Sequence, residues 1–241
     1  KAEIRLFNGN KVSLYNNMAR KLRNARGADD LHPIETTTPQ QHVDSSFGTN
    51  YWTTGPNPTY KFGDQWVVSD RLLVDVTYTH VGNNFVLGFH SPELRDVEPT
   101  FLISNSLNGR SGAESVNIRP VNSLNLNANY FMPAKLGGDH AFKIGGFWRD
   151  AVSQNITHTG GYARVRFPTA ITNDCSTQAA GCQVDLVRDG LSSYDLLNYS
   201  AFAQDTIAHR RLTLQLGLRY DYYKDTALAA NIAANPLSTQ W

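Results

Sequence analysis

The chain has 241 residues, 41% of them apolar, with a formal net charge of +1 and a mean hydropathy of -0.39. No apolar run approaches the ~18–20 residues of a spanning helix, and the near-neutral charge gives no bulk attraction to nucleic acid. The low mean hydropathy does not argue against strands that cross a membrane, because half of each such strand is polar.

Residues 2–7 open the chain with a short alternation, Ile4 and Leu6 against Glu3 and Arg5. Asn8-Gly9-Asn10 is a tight-turn signal, since Asn and Gly tolerate positive φ. A second strand is expected over 11–18, with Val12 and Leu14 on one side. Residues 32–58 are rich in Thr, Gln, Asn, Ser, Pro and Gly and carry almost no apolar periodicity, so this backbone must sit in water or line a cavity. Over 59–69, Tyr60, Phe62, Trp66 and Val68 share a face that Asp64 interrupts. After Asp70-Arg71 comes a very long strand, 72–90, broken at Gly82-Asn83-Asn84.

The segment 115–131 alternates sharply: Leu124, Leu126, Ala128 and Tyr130 oppose Ser123, Asn125, Asn127 and Asn129. Residues 133–139 turn the chain. Residues 140–159 return it, with Phe142, Ile144, Gly146 and Trp148 opposite Lys143 and Arg149. A strand over 194–207 and a turn at 208–210 lead to the cleanest alternation of all, 211–222. There Leu212, Leu214, Leu216, Leu218, Tyr220 and Tyr222 face one way, and Thr213, Gln215, Gly217, Arg219 and Asp221 the other. A soluble sandwich could also bury such leucines, so no strand decides alone.

The connections decide more. They run short, long, short, long, short, long, short: 8–10, 19–58, 70–71, 91–114, 133–139, 160–193 and 208–210. Structureless loops beyond ~12–15 residues are uncommon in compact soluble domains, whereas outer-membrane barrels alternate short periplasmic turns with long extracellular loops. The expected fold is all-β: an antiparallel transmembrane β-barrel segment of about eight strands, spanning 1–241 as one partial domain. The chain opens at Lys1 without a signal segment, residues 235–241 do not alternate, and the long loops are heavy for an eight-stranded barrel. We therefore expect an internal fragment of a larger barrel.

The run 199–206, Tyr-Ser-Ala-Phe-Ala-Gln-Asp-Thr, followed by 211–221 ending Gly217-Leu218-Arg219-Tyr220-Asp221, resembles the hairpin of TonB-dependent outer-membrane receptors. Residues 64–73, Val81-Gly82-Asn83-Asn84-Phe85, Phe89-His90 and residues 140–146 are similar to the Oar-type, OmpA-related branch of that superfamily. The resemblance covers roughly 55–241. It implies a barrel of about twenty-two strands with a plugged lumen. It also implies uptake or export of a substrate bound by extracellular loops, outer-membrane lipid and the receptor's own plug domain as partners, and an inner-membrane TonB-type energy-coupling protein. Plug and final strands are expected to lie outside this chain.

Cys175 and Cys182 enclose six residues inside a long exported loop, where a local disulfide stiffening the loop is expected. The seven histidines show no metal-ligand spacing; His90 and His158 are weak candidates for an anionic substrate near strand tops. Asp29 and Asp30 offer carboxylates to a cation, though a solvated loop is the simpler reading. Asp205 reads as structural, and Gly145-Gly146 as a close approach or bend. No cofactor, metal site or catalytic set is expected, and no enzymatic activity. The functional surface is expected on the lumen face: Ser123, Asn125, Asn127, Asn129, Lys143, Arg149, Gln215, Arg219 and Asp221, holding a plug or lining a passage. The rival readings are a small barrel acting as adhesin or passive pore, and a secreted β-sandwich binding module.

Overall fold

The computed structural model describes residues 1–30, 32–41, 57–102, 112–135, 137–168, 175–177 and 181–238. Fourteen strands occur among them. In chain order they are β1 (Ala2–Ile4), β2 (Asn10–Met18), β3 (Gln40–Gln41), β4 (Pro58–Ser69), β5 (Leu72–Val81), β6 (Phe85–Leu87) and β7 (Thr100–Leu102). They continue as β8 (Ala113–Ile118), β9 (Val121–Lys135), β10 (Gly138–Thr159), β11 (Ala163–Phe167), β12 (Gln183–Leu186), β13 (Gly190–His209) and β14 (Leu212–Ala227). The only helices among the described residues are 3-10 turns.

The expectation of about eight strands therefore needs correction. Eight strands do form one wall, an antiparallel meander in the order β1-β2-β4-β5-β9-β10-β13-β14. The other six are short: β3, β7, β11 and β12 fold within the long loops that sequence periodicity read as irregular, and β6 and β8 are the upper pieces of stretches expected as single long strands. Among the described residues the sheet is not closed: β1 pairs with β2 alone and β14 with β13 alone.

Two expected long strands are each split, for a local reason. The stretch 72–90 is interrupted at 82–84 and the stretch 115–131 at 119–120. Pro120 has no N–H to give a ladder. The neighbouring Arg119 amide donates instead to the Asn84 side-chain oxygen, and the Asn84 amide donates to Asn57 Oδ1, at 2.8 and 2.6 Å. Asn84 is fully buried in this gap. Registers are unchanged across it: Val81 faces Val121 below and Phe85 faces Asn117 above. The ladder is one, patched by an asparagine.

The loop strands extend the upper wall. β8 continues β9 along β10, β6 pairs with β8, and β3 pairs with β6. A second, three-stranded sheet joins two long loops, with β11 between antiparallel β12 and parallel β7. A small apolar core of Val86, Val116 and Ile118, with Ile156 against it, lies in this region.

Of the sequence expectations, His42 and most of the 32–58 loop lie outside the described residues, as does Trp241. Residues 228–238 form no strand, but Asn235 is buried and donates to the Tyr162 and Val187 carbonyls, tying the segment to the loops.

Candidate functional site

Register assigns every wall side chain to a face, because paired residues of neighbouring strands point the same way. On the leucine face one row runs Leu14, Phe62, Tyr78, Leu124, Trp148, Tyr199 and Tyr222. Below it follow Val76, Leu126, Gly146, Ala201 and Tyr220, then Val74, Ala128, Ile144, Ala203 and Leu218. These leucines are not packed away. Leu126 is 48% exposed, Ile144 58% and Leu218 79%, whereas Ser200 on the opposite face is 6% exposed. A water-soluble sandwich does the reverse, so the sandwich reading fails here.

Aromatic rings bound the apolar rows at both ends. Above, Tyr60 stacks on His80 at 4.6 Å, Tyr199 lies 6.3 Å from Tyr222, and the Tyr78 hydroxyl donates to Asn122. Below, Phe7 meets Trp66 edge-on at 5.6 Å, and Tyr130 lies over Phe142 at 6.4 Å. From Trp66 to Tyr60, or Phe142 to Trp148, is ~20 Å of strand. That is the scale of the ~25 Å apolar band between the aromatic girdles of outer-membrane barrels.

Four polar groups on the leucine face are paired with one another near the short-turn end. Asn10 donates to Asp64, and His140 Nδ1 lies 2.7 Å from Asp205 Oδ2 with Phe142 stacked on the imidazole at 5.5 Å. Asp205 is thus a structural partner of His140 across the hairpin.

The nine residues singled out from sequence all fall on the other face. Ser123, Arg149 and Asn198 form one row; Asn125, Phe147, Ser200 and Asp221 the next; Asn127, Gly145, Phe202 and Arg219 the third; Asn129, Lys143 and Gln204 the fourth; Gln215 sits beside Thr206 below. Arg219 grips Asp221 through two nitrogens, each at 2.8 Å, and its Nη2 also reaches Ser200 Oγ at 3.4 Å. Lys143 lies 5.9 Å over the Phe202 ring. Gly145 serves Phe202: a Cβ there would meet the ring at 2.3 Å.

Sequence reasoning missed half of this face. The same rows continue through Asp75 and Gln65 to Lys11, and through Thr79 to Lys61. Lys11 and Lys1 share Glu3 as an ion-pair partner, at 3.3 and 2.8 Å, beside a cavity of about 330 Å3 that Lys61 and Asp75 also line. The signal was present, because each lies opposite an apolar neighbour, but the first strands are short and Asp64 breaks their pattern.

Above the wall the loops are pinned at His158. Its Nδ1 lies 2.6 Å from Asp189 Oδ1 and its Nε2 3.1 Å from the Arg95 carbonyl. Tyr162 and Phe89 meet the ring edge-on at 5.0 and 6.1 Å, and Arg95 pairs with Glu114 at 2.7 Å. His158 is buried as a clamp and is not presented to a ligand. His90 bonds Thr37 Oγ1 at 3.1 Å. Cys175 and Cys182 are joined in a disulfide at the tip of the β11–β12 hairpin, Cα–Cα 5.4 Å. Asp29 is engaged by the His32 amide and ring. Among the described residues no group of three or more His, Cys, Asp and Glu could hold a metal.

No curated protein and no solved structure matches the chain. The family model of the outer membrane beta barrel domain matches residues 13–235. That match covers nearly the whole chain and takes in all of the wall but β1 and the start of β2, together with the folded loops: the chain belongs to the outer membrane beta barrel domain family, and its place is the bacterial outer membrane.

Proposed function

We propose that this chain is part of the barrel of a TonB-dependent receptor of the Oar-like branch, one that carries a substrate across the outer membrane without chemical conversion. The leucine face is solvated by lipid. The face bearing Asn125, Asn127, Lys143, Arg149 and Arg219 looks into a lumen. There it holds the receptor's plug domain by hydrogen bonds and ion pairs. The long loops face the exterior and catch substrate, and a TonB-type inner-membrane partner moves the plug to release it.

The observation that carries this reading is the hairpin β13–β14. Its Tyr199–Asp205 and Gly217–Asp221 stretches resemble the receptor family, and its wide wall runs to an unpaired edge at β14. An open edge of this length is a template for further pairing, which suits a barrel of more strands. The rival small barrel needs β1 and β14 to meet, and among the described residues neither pairs beyond its hairpin partner.

The test is uptake by cells producing the parent protein, with and without the energy-coupling protein and with the proton gradient dissipated. Uptake abolished in both treatments supports the receptor. Passage that continues in both overturns it in favour of a passive pore.

A further inference from the structure

The loop after β2 carries Arg20, Lys21, Arg23 and Arg26 within seven positions. Three of these cations, Lys21, Arg23 and Arg26, line a cavity of about 380 Å3 against β3 and β6. Its remaining polar lining is amide, from side chains such as Gln40, Asn57 and Asn83, and its apolar wall is Phe85 and Leu87; no carboxylate lines it. Among the described residues none of the three cations has an ion-pair partner. The nearest acid in sequence, Asp29, is already bound by His32.

The loop is also positioned. Arg23 exchanges both backbone hydrogen bonds with Gln40, at 3.0 and 2.8 Å, and Gln40 in turn pairs with Leu87. Three like charges held together repel, and no acid among the described residues offsets them. The volume falls in the range of small-molecule sites, and guanidinium and amide groups together suit an anion that also carries hydroxyls.

Position decides the source of the anion. Phe85 pairs with Asn117, which pairs with Asn155 on the unbroken strand β10. Asn155 has the same parity as Lys143 and Arg149, so Phe85 and Leu87 lie on the polar face and not on the leucine face. A lipid headgroup would reach the other side of the wall. We infer that Lys21, Arg23 and Arg26 form a capture site, at the inner rim of the long-loop end, for a soluble multivalent anion bearing phosphate or carboxylate groups. This deepens the receptor reading by naming a ligand class, and rests on it for the direction in which the rim faces.

Binding is scored without energy coupling, so its failure is distinct from a failure of TonB dependence. Outer membranes holding the protein are titrated with tripolyphosphate and, separately, with citrate. The site requires saturable binding that weakens at least tenfold between low and high salt. It also requires at least tenfold weaker binding in the triple variant Lys21→Gln, Arg23→Gln, Arg26→Gln, with Arg210→Gln at a short turn as the unaffected control. The charge-conserving variant Lys21→Arg, Arg23→Lys, Arg26→Lys keeps binding within about threefold and separates charge from folding. Absence of binding by the native protein, or equal binding by the folded glutamine variant, overturns the site. Competition by lipopolysaccharide added to the detergent-solubilised protein overturns the soluble source in favour of a lipid headgroup.

Discussion

In the wall, Leu126 and Leu218 are 48% and 79% exposed while Ser200 behind them is 6% exposed. In the folded loops above, the order is the ordinary one: Val116 is 1% exposed and Val86 7%. Both regions share one continuous ladder, for β8 and β9 pair with β10 in a single register. The same strand β10 therefore leaves Ile144 exposed on the leucine face and, eight residues beyond Trp148, packs Ile156 against a protein core. The solvent changes along the strand, and the side chains report where.

Substituting an arginine on each face gives the largest contrast. Leu126→Arg places a charge in the apolar rows and is expected to cost ~2–4 kcal/mol near the bilayer midplane. Asn125→Arg, one residue away on the opposite face, is expected to cost less than about 1 kcal/mol. Equilibrium unfolding of the refolded protein in lipid vesicles measures both. Equal costs would mean that the two faces see the same medium.

Asn84 joins the two regions, and Asn84→Ala removes its acceptor from the Arg119 amide inside a fully buried gap. Leaving that donor unpaired is expected to cost ~1–3 kcal/mol. Hydrogen exchange at Arg119 should accelerate sharply while amides of β13 and β14 keep their protection. Uniform acceleration along the wall would show that the patch at the break is not local.

His158→Ala acts on the loops alone. It deletes the bonds to Asp189 and to the Arg95 carbonyl, which hold together the end of β10, the 92–96 turn and the approach to β13. The expected loss is ~1–2 kcal/mol of local stability, read as faster protease cleavage around 91–99 and 187–189 with the wall's unfolding midpoint unchanged. A shifted midpoint would make the clamp part of the wall.

The wall was legible because one face of each strand meets a uniform medium, so period two survives over β9, β10, β13 and β14. Sequence gave their faces correctly and their ends within a few residues; β14 runs on through Ala227, because lysine and aspartate at its upper end look like loop. The loop strands were not legible. Gln40–Gln41 and Thr100–Leu102 are too short for a period to show, and their pairing partners lie far along the chain. His158 was weighed as a ligand group because burial cannot be read from one residue type. The basic run at 20–26 looks in sequence like a solvated surface, and only the fold sets three of its four cations around a cavity.

The smallest effect on the wall is expected from reducing Cys175–Cys182. The disulfide closes a short loop at the tip of the β11–β12 hairpin, and closing a loop of that length is worth ~2–3 kcal/mol on chain-entropy grounds. That stabilisation is confined to the hairpin. β11 pairs with β12 on one side and β7 on the other, and among the described residues none of the three pairs with a wall strand. Reduction, or Cys175→Ser with Cys182→Ser, should therefore open the tip to proteases without moving the unfolding midpoint in vesicles. Asp189, just after β12, holds His158, and the Tyr162 and Val187 carbonyls beside the hairpin hold Asn235, so the hairpin meets its surroundings at more than one point. If the midpoint does fall, His158→Ala in the reduced protein should lower it further only by the share that the Asn235 contacts leave to Asp189.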